Sequence, residues 1–144
     1  MAVVAQAAAP RLGKRDAANA LAAARGMSQS MAGWNRERSA RGEPASRVGI
    51  GLHWGSVVLG DIGGANRLEF ATVGDTVTVA SRLERLTREL GVEIAVSADL
   101  AEAVRAVVPA VEADALLDGF GRTEPRLLRG RGAQLDILVR SVSP

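Results

Sequence analysis

The chain has 144 residues, the length of a single globular domain. Hydrophobic residues make up 47% and charged residues 24%, which excludes an intrinsically disordered chain. The absence of cysteine excludes disulfides, thiolate zinc sites and cysteine nucleophiles. No apolar run approaches the ~20 residues of a spanning helix, and the first residues lack the basic start and cleavage site of a signal peptide. We therefore expect no membrane segment and a cytoplasmic location.

The basic residues are distributed unevenly and are almost all arginine. The formal net charge is +2, but residues 1–42 carry 7 basic and 2 acidic side chains, whereas the remainder carries 11 and 14. Lys14 is the only lysine among the 18 basic residues. This local excess indicates a solvated Arg-rich helix, with a phosphate or membrane-surface contact as the alternative. Because there is no block of like charges with interleaved aromatics, we do not expect a nucleic-acid partner.

The first third of the chain predicts a leader followed by one long helix. Residues 1–15 show no hydrophobic period, so we interpret them as an unstructured leader. Asp16 is the candidate N-cap of a helix over residues 16–41, which Gly42 and Pro44 end. Apolar residues recur along this helix at spacings of four, three, four and three, at Ala20, Ala24, Met27, Met31 and Trp34.

A period of two begins at residue 47 and predicts a strand. Its apolar face holds Val48, Ile50 and Leu52, and these residues alternate with glycines. A second short strand over residues 56–59 and an extended segment over residues 67–73 follow, joined by a glycine-rich turn.

The clearest helix of the sequence begins at Gly74 and Asp75 and ends at Leu90, with Gly91 in the C′ position. Its predicted buried stripe comprises Val79, Leu83, Leu86 and Leu90. The remaining predicted elements are a strand over residues 93–96, a helix starting at Ser97, and strands near Leu127 and over residues 135–139. This alternation of strands and helices indicates an α/β or α+β protein.

Several common site motifs are absent from the sequence. It has neither a G-x-G-x-x-G turn after a strand nor a G-x-x-x-x-G-K-S/T phosphate loop. His53, the only histidine, lacks evident partners for a metal or a nucleophile, so we expect a structural role for it. Asp61, Glu69 and Asp75 lie near turns and are interpreted as turn or cap residues, so the sequence identifies no metal ligands.

Residues 47–86 carry an ordered series of motifs, RVGIGLHWGSVVLGDIGGANRLEFATVGDTVTVASRLERL. A His-x-Gly turn leads through V-x-x-G-x-x-G to an extended segment, and a helix then opens with Gly-Asp-Thr-Val and continues with Ala-x-Arg-Leu. This series resembles the class III adenylyl/guanylyl cyclase catalytic domain. The resemblance extends more loosely over residues 16–140, where residues 128–132 are similar to a late Lys-Gly-Lys-Gly turn of that family.

The resemblance implies an α+β, ferredoxin-like nucleotide cyclase core, in which a mixed or antiparallel sheet carries helices on one face. In that family the two metal-binding aspartates precede the Ala-rich helix, where this chain has fifteen residues without a strand pattern. We therefore expect residues 16–144 to form a partial cyclase domain that lacks its first strands. Such a chain should be marginally stable unless something pairs with the exposed strand edges.

The resemblance also implies a reaction of intracellular signal transduction. In the family, a ribose 3′-hydroxyl attacks the α-phosphate of ATP or GTP, which releases pyrophosphate and closes a cyclic nucleotide. Two divalent cations, Mg or Mn, support this lyase chemistry. The sites form between two catalytic domains, so the implied partner is a second copy in a homodimer or another cyclase domain in a heterodimer.

Motif by motif, the resemblance implies roles for five residues. Arg82 matches an arginine that stabilises charge on the phosphates, and Arg129 matches a basic residue that contacts the triphosphate. Thr78 stands where the family has an asparagine that orients the ribose, and Ala71 stands where a polar side chain reads the base. Asp75, in the Gly-Asp-Thr opening of the helix, is assigned to substrate binding. The alternatives are a solvated helix arginine for Arg82 and a surface turn residue for Arg129.

Two of these positions depart from the family pattern. Threonine at position 78 keeps a hydroxyl on the face that carries Arg82 but presents no amide, and alanine at position 71 cannot hydrogen-bond a base. The choice between ATP and GTP therefore stays open. We expect a cyclase-family domain that is inactive alone, because the metal-binding aspartates are not found in this chain. The alternatives are a non-catalytic dimerisation or regulatory module for a full-length cyclase, and a truncated gene product.

Overall fold

A computed structural model describes residues 2–5, 15–56, 58–61, 70–73, 75–128 and 133–141. The four helices are α1 (Asp16–Ala40), α2 (Asp75–Leu90), α3 (Ala98–Val107) and α4 (Ala110–Leu117). The seven strands of these residues are β1 (Ala2–Ala5), β2 (Gly49–Leu52), β3 (Val58–Asp61), β4 (Phe70–Val73), β5 (Ile94–Ser97), β6 (Gly121–Arg122) and β7 (Ile137–Arg140).

Five of these strands form one mixed sheet in the order β1-β2-β5-β7-β6. Strands β1, β2 and β5 run parallel, whereas β7 is antiparallel to both β5 and β6. Strands β3 and β4 form a separate antiparallel pair. The prediction of an α+β fold with a mixed sheet is therefore confirmed.

The main sheet carries helices on both faces. Ile94 and Val96 of β5 pack in a core with α1, α3 and α4, whereas Ala95 belongs to a second core with α2 and Ile137 of β7. The expectation of helices on one face is therefore wrong. Because consecutive β5 side chains point to opposite faces and all of them are buried, both faces of the sheet must be covered.

The predicted unstructured leader contains a strand. Strand β1 pairs in parallel with β2, with Val3 opposite Ile50, so the prediction is wrong for Ala2–Ala5. The extended Ala-Val-Val-Ala segment satisfies the backbone groups along the edge of β2. Such a short non-local pairing leaves no periodic signal in the sequence. Residues 6–14 lie outside the described part of the chain.

Helix α1 matches its predicted span to within one residue, but its N-cap and part of its predicted apolar pattern differ. Asp16 is its first helical residue rather than its N-cap, since Arg15 occupies the cap position without a side-chain hydrogen bond. Its buried residues are Ala17, Ala18, Leu21, Ala24 and Ser28. Of the apolar residues that recur along this helix, Ala24 is buried and Met27 packs against the core, whereas Trp34 is 43% exposed beneath the guanidinium of Arg38. Among the described residues, no helix combines the length and apolarity needed to cross a bilayer.

The predicted ends of α2 and the start of α3 are confirmed. Helix α2 ends at Leu90, and Gly91 adopts a left-handed conformation with φ +66, which favours glycine. The Ser97 hydroxyl accepts a hydrogen bond from the Leu100 N–H and caps α3. Helix α4 was not predicted separately, and Arg25 of α1 donates to the carbonyls of Leu116 and Asp118 at its C-terminal end.

Strand β2 presents a glycine face to α2. A Cβ added at Gly51 would lie within 3.0 Å of the Ala80 carbonyl and the Glu84 N–H. A Cβ at Gly49 would lie equally close to the Thr87 hydroxyl. The backbones of β2 and α2 therefore approach to a distance that leaves no room for a side chain between them.

This contact makes Gly51 a sensitive position for stability. We expect Gly51→Ala to lower the free energy of unfolding by about 1–3 kcal/mol, because the methyl group would push α2 away from β2. In contrast, Gly26→Ala in α1 should raise it by about 0.5–1 kcal/mol, because nothing lies within 4 Å of the added Cβ and alanine favours helix. Chemical denaturation followed by circular dichroism measures both variants, and equal effects would contradict the close contact.

Candidate functional site

The candidate site lies on α2, whose first turn is anchored to the loop after β2. The Thr76 hydroxyl donates a hydrogen bond of 2.7 Å to the Ser56 carbonyl. A Cβ at Gly55 would lie within 3.0 Å of the same hydroxyl, so this loop also touches the helix without an intervening side chain. The first turn of α2 is therefore fixed against the end of β2.

The two faces of α2 differ in burial. Val79, Leu83 and Leu86 are buried in the core between α2 and the sheet, which confirms three positions of the predicted stripe. Leu90, the fourth, is partly buried. Thr78 is exposed and Arg82 is half-buried, and their spacing of four residues places them one turn apart on the same side of the helix. The helix therefore presents a hydroxyl and a guanidinium together, away from its apolar stripe.

Arg82 forms no ion pair with any of the described residues. Within the described residues, its guanidinium forms no salt bridge or hydrogen bond with any carboxylate. Glu84, two residues along the helix, accepts a hydrogen bond from Arg88 instead. A half-buried guanidinium without a partner among the described residues can bind an external anion.

Two further predicted site residues, Asp75 and Ala71, lie within the described part of the chain. Asp75 is the first residue of α2 and is exposed. Ala71 lies on β4 opposite Gly60 of β3, two residues before that strand ends. Arg129 lies outside the described residues. The structure thus brings Asp75, Thr78 and Arg82 together along one helix, and the roles of all five residues stay predictions.

His53 lies in a buried structural setting. Its side chain is about 7% exposed, and Nδ1 lies 2.8 Å from the Ser97 hydroxyl and 4.0 Å from the Asp99 carboxylate. Ser97 in turn caps α3, so this contact joins the ends of β2 and β5. This setting agrees with the expected structural role.

No metal site is formed by the part of the chain that the structure describes. No group of three or more histidine, aspartate and glutamate side chains there could hold a metal ion. The described residues therefore offer no such cluster for the Mg or Mn that the resemblance implies, and we derive no step through a metal.

The sequence analysis did not predict that Glu84 is buried. Its side chain is only 6% exposed, at the contact between α2 and the glycine face of β2. The available signal was the pair of glycines at positions 49 and 51, because glycines two residues apart on one strand face permit a close backbone approach. The burial of a charged residue could not be read from the helix pattern itself.

The fold of this chain is similar to that of a solved cyclase. The crystal structure of the guanylyl cyclase Cya2 superposes with a TM-score of 0.66 and 26% sequence identity, covering 94% of this chain and 63% of that one. A sequence model of the adenylate and guanylate cyclase catalytic domain matches residues 2–116. The chain therefore belongs to the adenylate and guanylate cyclase catalytic domain family.

Curated relatives agree with this assignment. The chain is 43% identical over 82 residues to an adenylate cyclase of Anabaena cylindrica, covering 54% of this chain and 16% of that protein. It is 35% identical over 89 residues to adenylate cyclase 1 of Rhizobium meliloti (strain 1021), covering 62% of this chain and 13% of that protein. The chain thus spans less than one fifth of the length of these relatives.

The lack of a described internal partner for Arg82 makes it possible to separate a role in ligand binding from a role in stability. We expect Arg82→Ala to change the free energy of unfolding by less than about 0.5 kcal/mol, because the guanidinium holds no described internal partner. The neighbouring Leu83→Ala should cost about 2–5 kcal/mol, because Leu83 is fully buried. Urea denaturation of both variants tests this, and a large loss for Arg82→Ala would assign that side chain to the fold.

Proposed function

We propose that this chain contributes the Thr78 and Arg82 side of α2 to a nucleotide cyclase site, which converts ATP or GTP into a cyclic nucleotide and pyrophosphate. The site is completed by another cyclase domain, either a second copy or a relative, and the chain is inactive alone. The observation that supports this proposal best is the Arg82 guanidinium, which lacks a described internal partner on a helix held tightly against β2.

Arginine suits the proposed phosphate contact for a physical reason. Its planar guanidinium is permanently charged and can donate two parallel N–H bonds to phosphate oxygens. Charge that develops on the phosphates during displacement is stabilised best by donors that are already in place. The contacts of Gly51 and Gly55 with α2 limit the motion of the helix, which supports such preorganisation.

Thr78 is proposed to act one helical turn before Arg82. Its hydroxyl can donate one hydrogen bond and accept others, so it can bind a ribose hydroxyl on the side of α2 that faces the phosphates. Because a threonine is shorter than the asparagine of the family and has no amide, we propose looser control of the ribose. With alanine at position 71, we also propose little discrimination between adenine and guanine.

The cations of the reaction, Mg or Mn, are proposed to be held outside the described residues of this chain. The described part contains no cluster of metal-ligating side chains, so any carboxylate ligands must come from elsewhere in the assembled site. The same observation favours a second candidate function, in which the chain is a non-catalytic module that pairs with a full-length cyclase and changes its activity.

Nucleotide binding tests the role of Arg82 directly. We expect Arg82→Ala to weaken binding of a fluorescent ATP or GTP analogue by about 10- to 100-fold, because a charge-assisted hydrogen bond to phosphate contributes about 1.5–3 kcal/mol. The matched control is Arg85→Ala, which removes an exposed arginine from the same helix and should change the affinity by less than about twofold. Equal losses in both variants would indicate general attraction of the anion rather than a site at Arg82.

Activity tests separate the two candidate functions. The purified chain with ATP or GTP and Mn²⁺ should form no cyclic nucleotide above an Arg82→Ala control, and product above that control would contradict inactivity. Mixed with a full-length cyclase whose own equivalent arginine is replaced, the chain should restore activity if it supplies Arg82 to a shared site. A change in partner activity that survives Arg82→Ala would instead support the regulatory module.

A further inference from the structure

A cavity of about 400 Å³ lies beside the C-terminal half of α2. It is bounded by the start of β2, the segment that enters β5, and the last turns of α2, and its lining includes Arg47, Gly49, Glu84, Thr87, Arg88 and Glu93. Its volume falls within the range of small-molecule sites in proteins. Glu84 and Arg82 are two residues apart and so point to nearly opposite sides of α2, which separates this cavity from the proposed nucleotide site.

The wall of this cavity contains a deeply buried carboxylate. The Glu84 side chain is 6% exposed, and among the described residues its carboxylate receives one hydrogen bond, of 3.2 Å, from Nη2 of Arg88. The Arg88 side chain is 75% exposed, so it can move into solvent and break this hydrogen bond. The Thr87 hydroxyl does not donate to this carboxylate, because it donates to the Glu84 backbone carbonyl at 2.5 Å.

The Glu84 carboxylate has one described hydrogen-bond donor, which is fewer than its oxygens can accept. A buried charge is costly unless several hydrogen bonds replace the lost water, and an ionised carboxylate can accept about four. The Glu84 carboxylate has one described donor and borders an open volume. A cationic donor that enters the cavity would therefore find an acceptor that the protein itself satisfies incompletely.

We propose that this cavity binds a small organic cation whose guanidinium or primary ammonium group pairs with Glu84 and displaces the side chain of Arg88. Glu93 supplies a second carboxylate to the wall, where one of its oxygens accepts a hydrogen bond from Ser28 of α1. Arg47 at the rim opposes such a ligand by like charge, as does Arg88 until it moves away.

Calorimetric titration of the full chain with agmatine or putrescine tests the proposal, with ionic strength held constant by sodium chloride. Glu84→Gln keeps the shape of the side chain but removes its charge, so we expect the association constant to fall at least about tenfold. Glu89→Gln removes an exposed carboxylate from the same helix and should leave it unchanged within about twofold. Agmatine and putrescine distinguish a guanidinium preference from an ammonium preference, and neutral N-butylurea should not bind.

Arg88→Ala gives a second test, in which the Glu84 carboxylate loses its described donor and a bound cation can take that place. Removal of the competing guanidinium should raise the association constant several-fold, whereas a purely structural Glu84–Arg88 pair predicts no binding in either protein. The proposal is overturned if neither cation binds the wild type or Arg88→Ala at millimolar concentration. It is equally overturned if Glu84→Gln binds as well as the wild type, or if Arg88→Ala binds more weakly.

Discussion

The contact between α2 and the glycine face of β2 determines the rest of this structure. At Gly51, the carbonyl of Ala80 and the N–H of Glu84 occupy the space that any side chain would need. A helix that packs on glycine has little freedom to slide or rotate, because interiors are close-packed and each shift creates an overlap or a void. The missing side chains at Gly49 and Gly51 therefore help to fix the position of α2 on the sheet.

Because the position of α2 is fixed, its charged side chains differ in burial. The apolar stripe covers the sheet, Arg82 is directed away from it, and Glu84 is placed in the contact between helix and strand. Burial of a carboxylate costs several kcal/mol that a single exposed arginine repays only in part. An uncharged residue of similar size would fill the same position at lower cost. The presence of Glu84 there is therefore better explained by a use for its charge than by stability.

Local signals in the sequence predicted the elements whose ends are fixed locally. Gly91 was identified correctly because a left-handed C′ position favours glycine. The helix predicted to start at Ser97 begins one residue later, and the Ser97 hydroxyl is its cap. The strand at Ala2–Ala5 and the second helical layer were missed because both depend on partners distant in sequence. The sequence shows only an apolar run at Ile94, Ala95 and Val96. The packing shows that Ile94 and Val96 belong to one core and Ala95 to the other. In the candidate site, the resemblance indicated Thr78 and Arg82, and the structure shows that both lie on the same side of α2. The burial of Glu84 could not be predicted, because it depends on how closely α2 approaches β2.

The distribution of charge explains why the proposed nucleotide site needs a second domain. A triphosphate carries several negative charges, and binding it away from water requires compensation by more than one cation. The described residues offer Arg82 but no carboxylate cluster that could hold divalent ions next to it. Because the charge of arginine cannot be withdrawn near neutral pH, Arg82 also cannot act as the acid or base of the reaction. We therefore propose that Arg82 orients and stabilises a phosphate, and that groups outside the described residues activate the attacking hydroxyl.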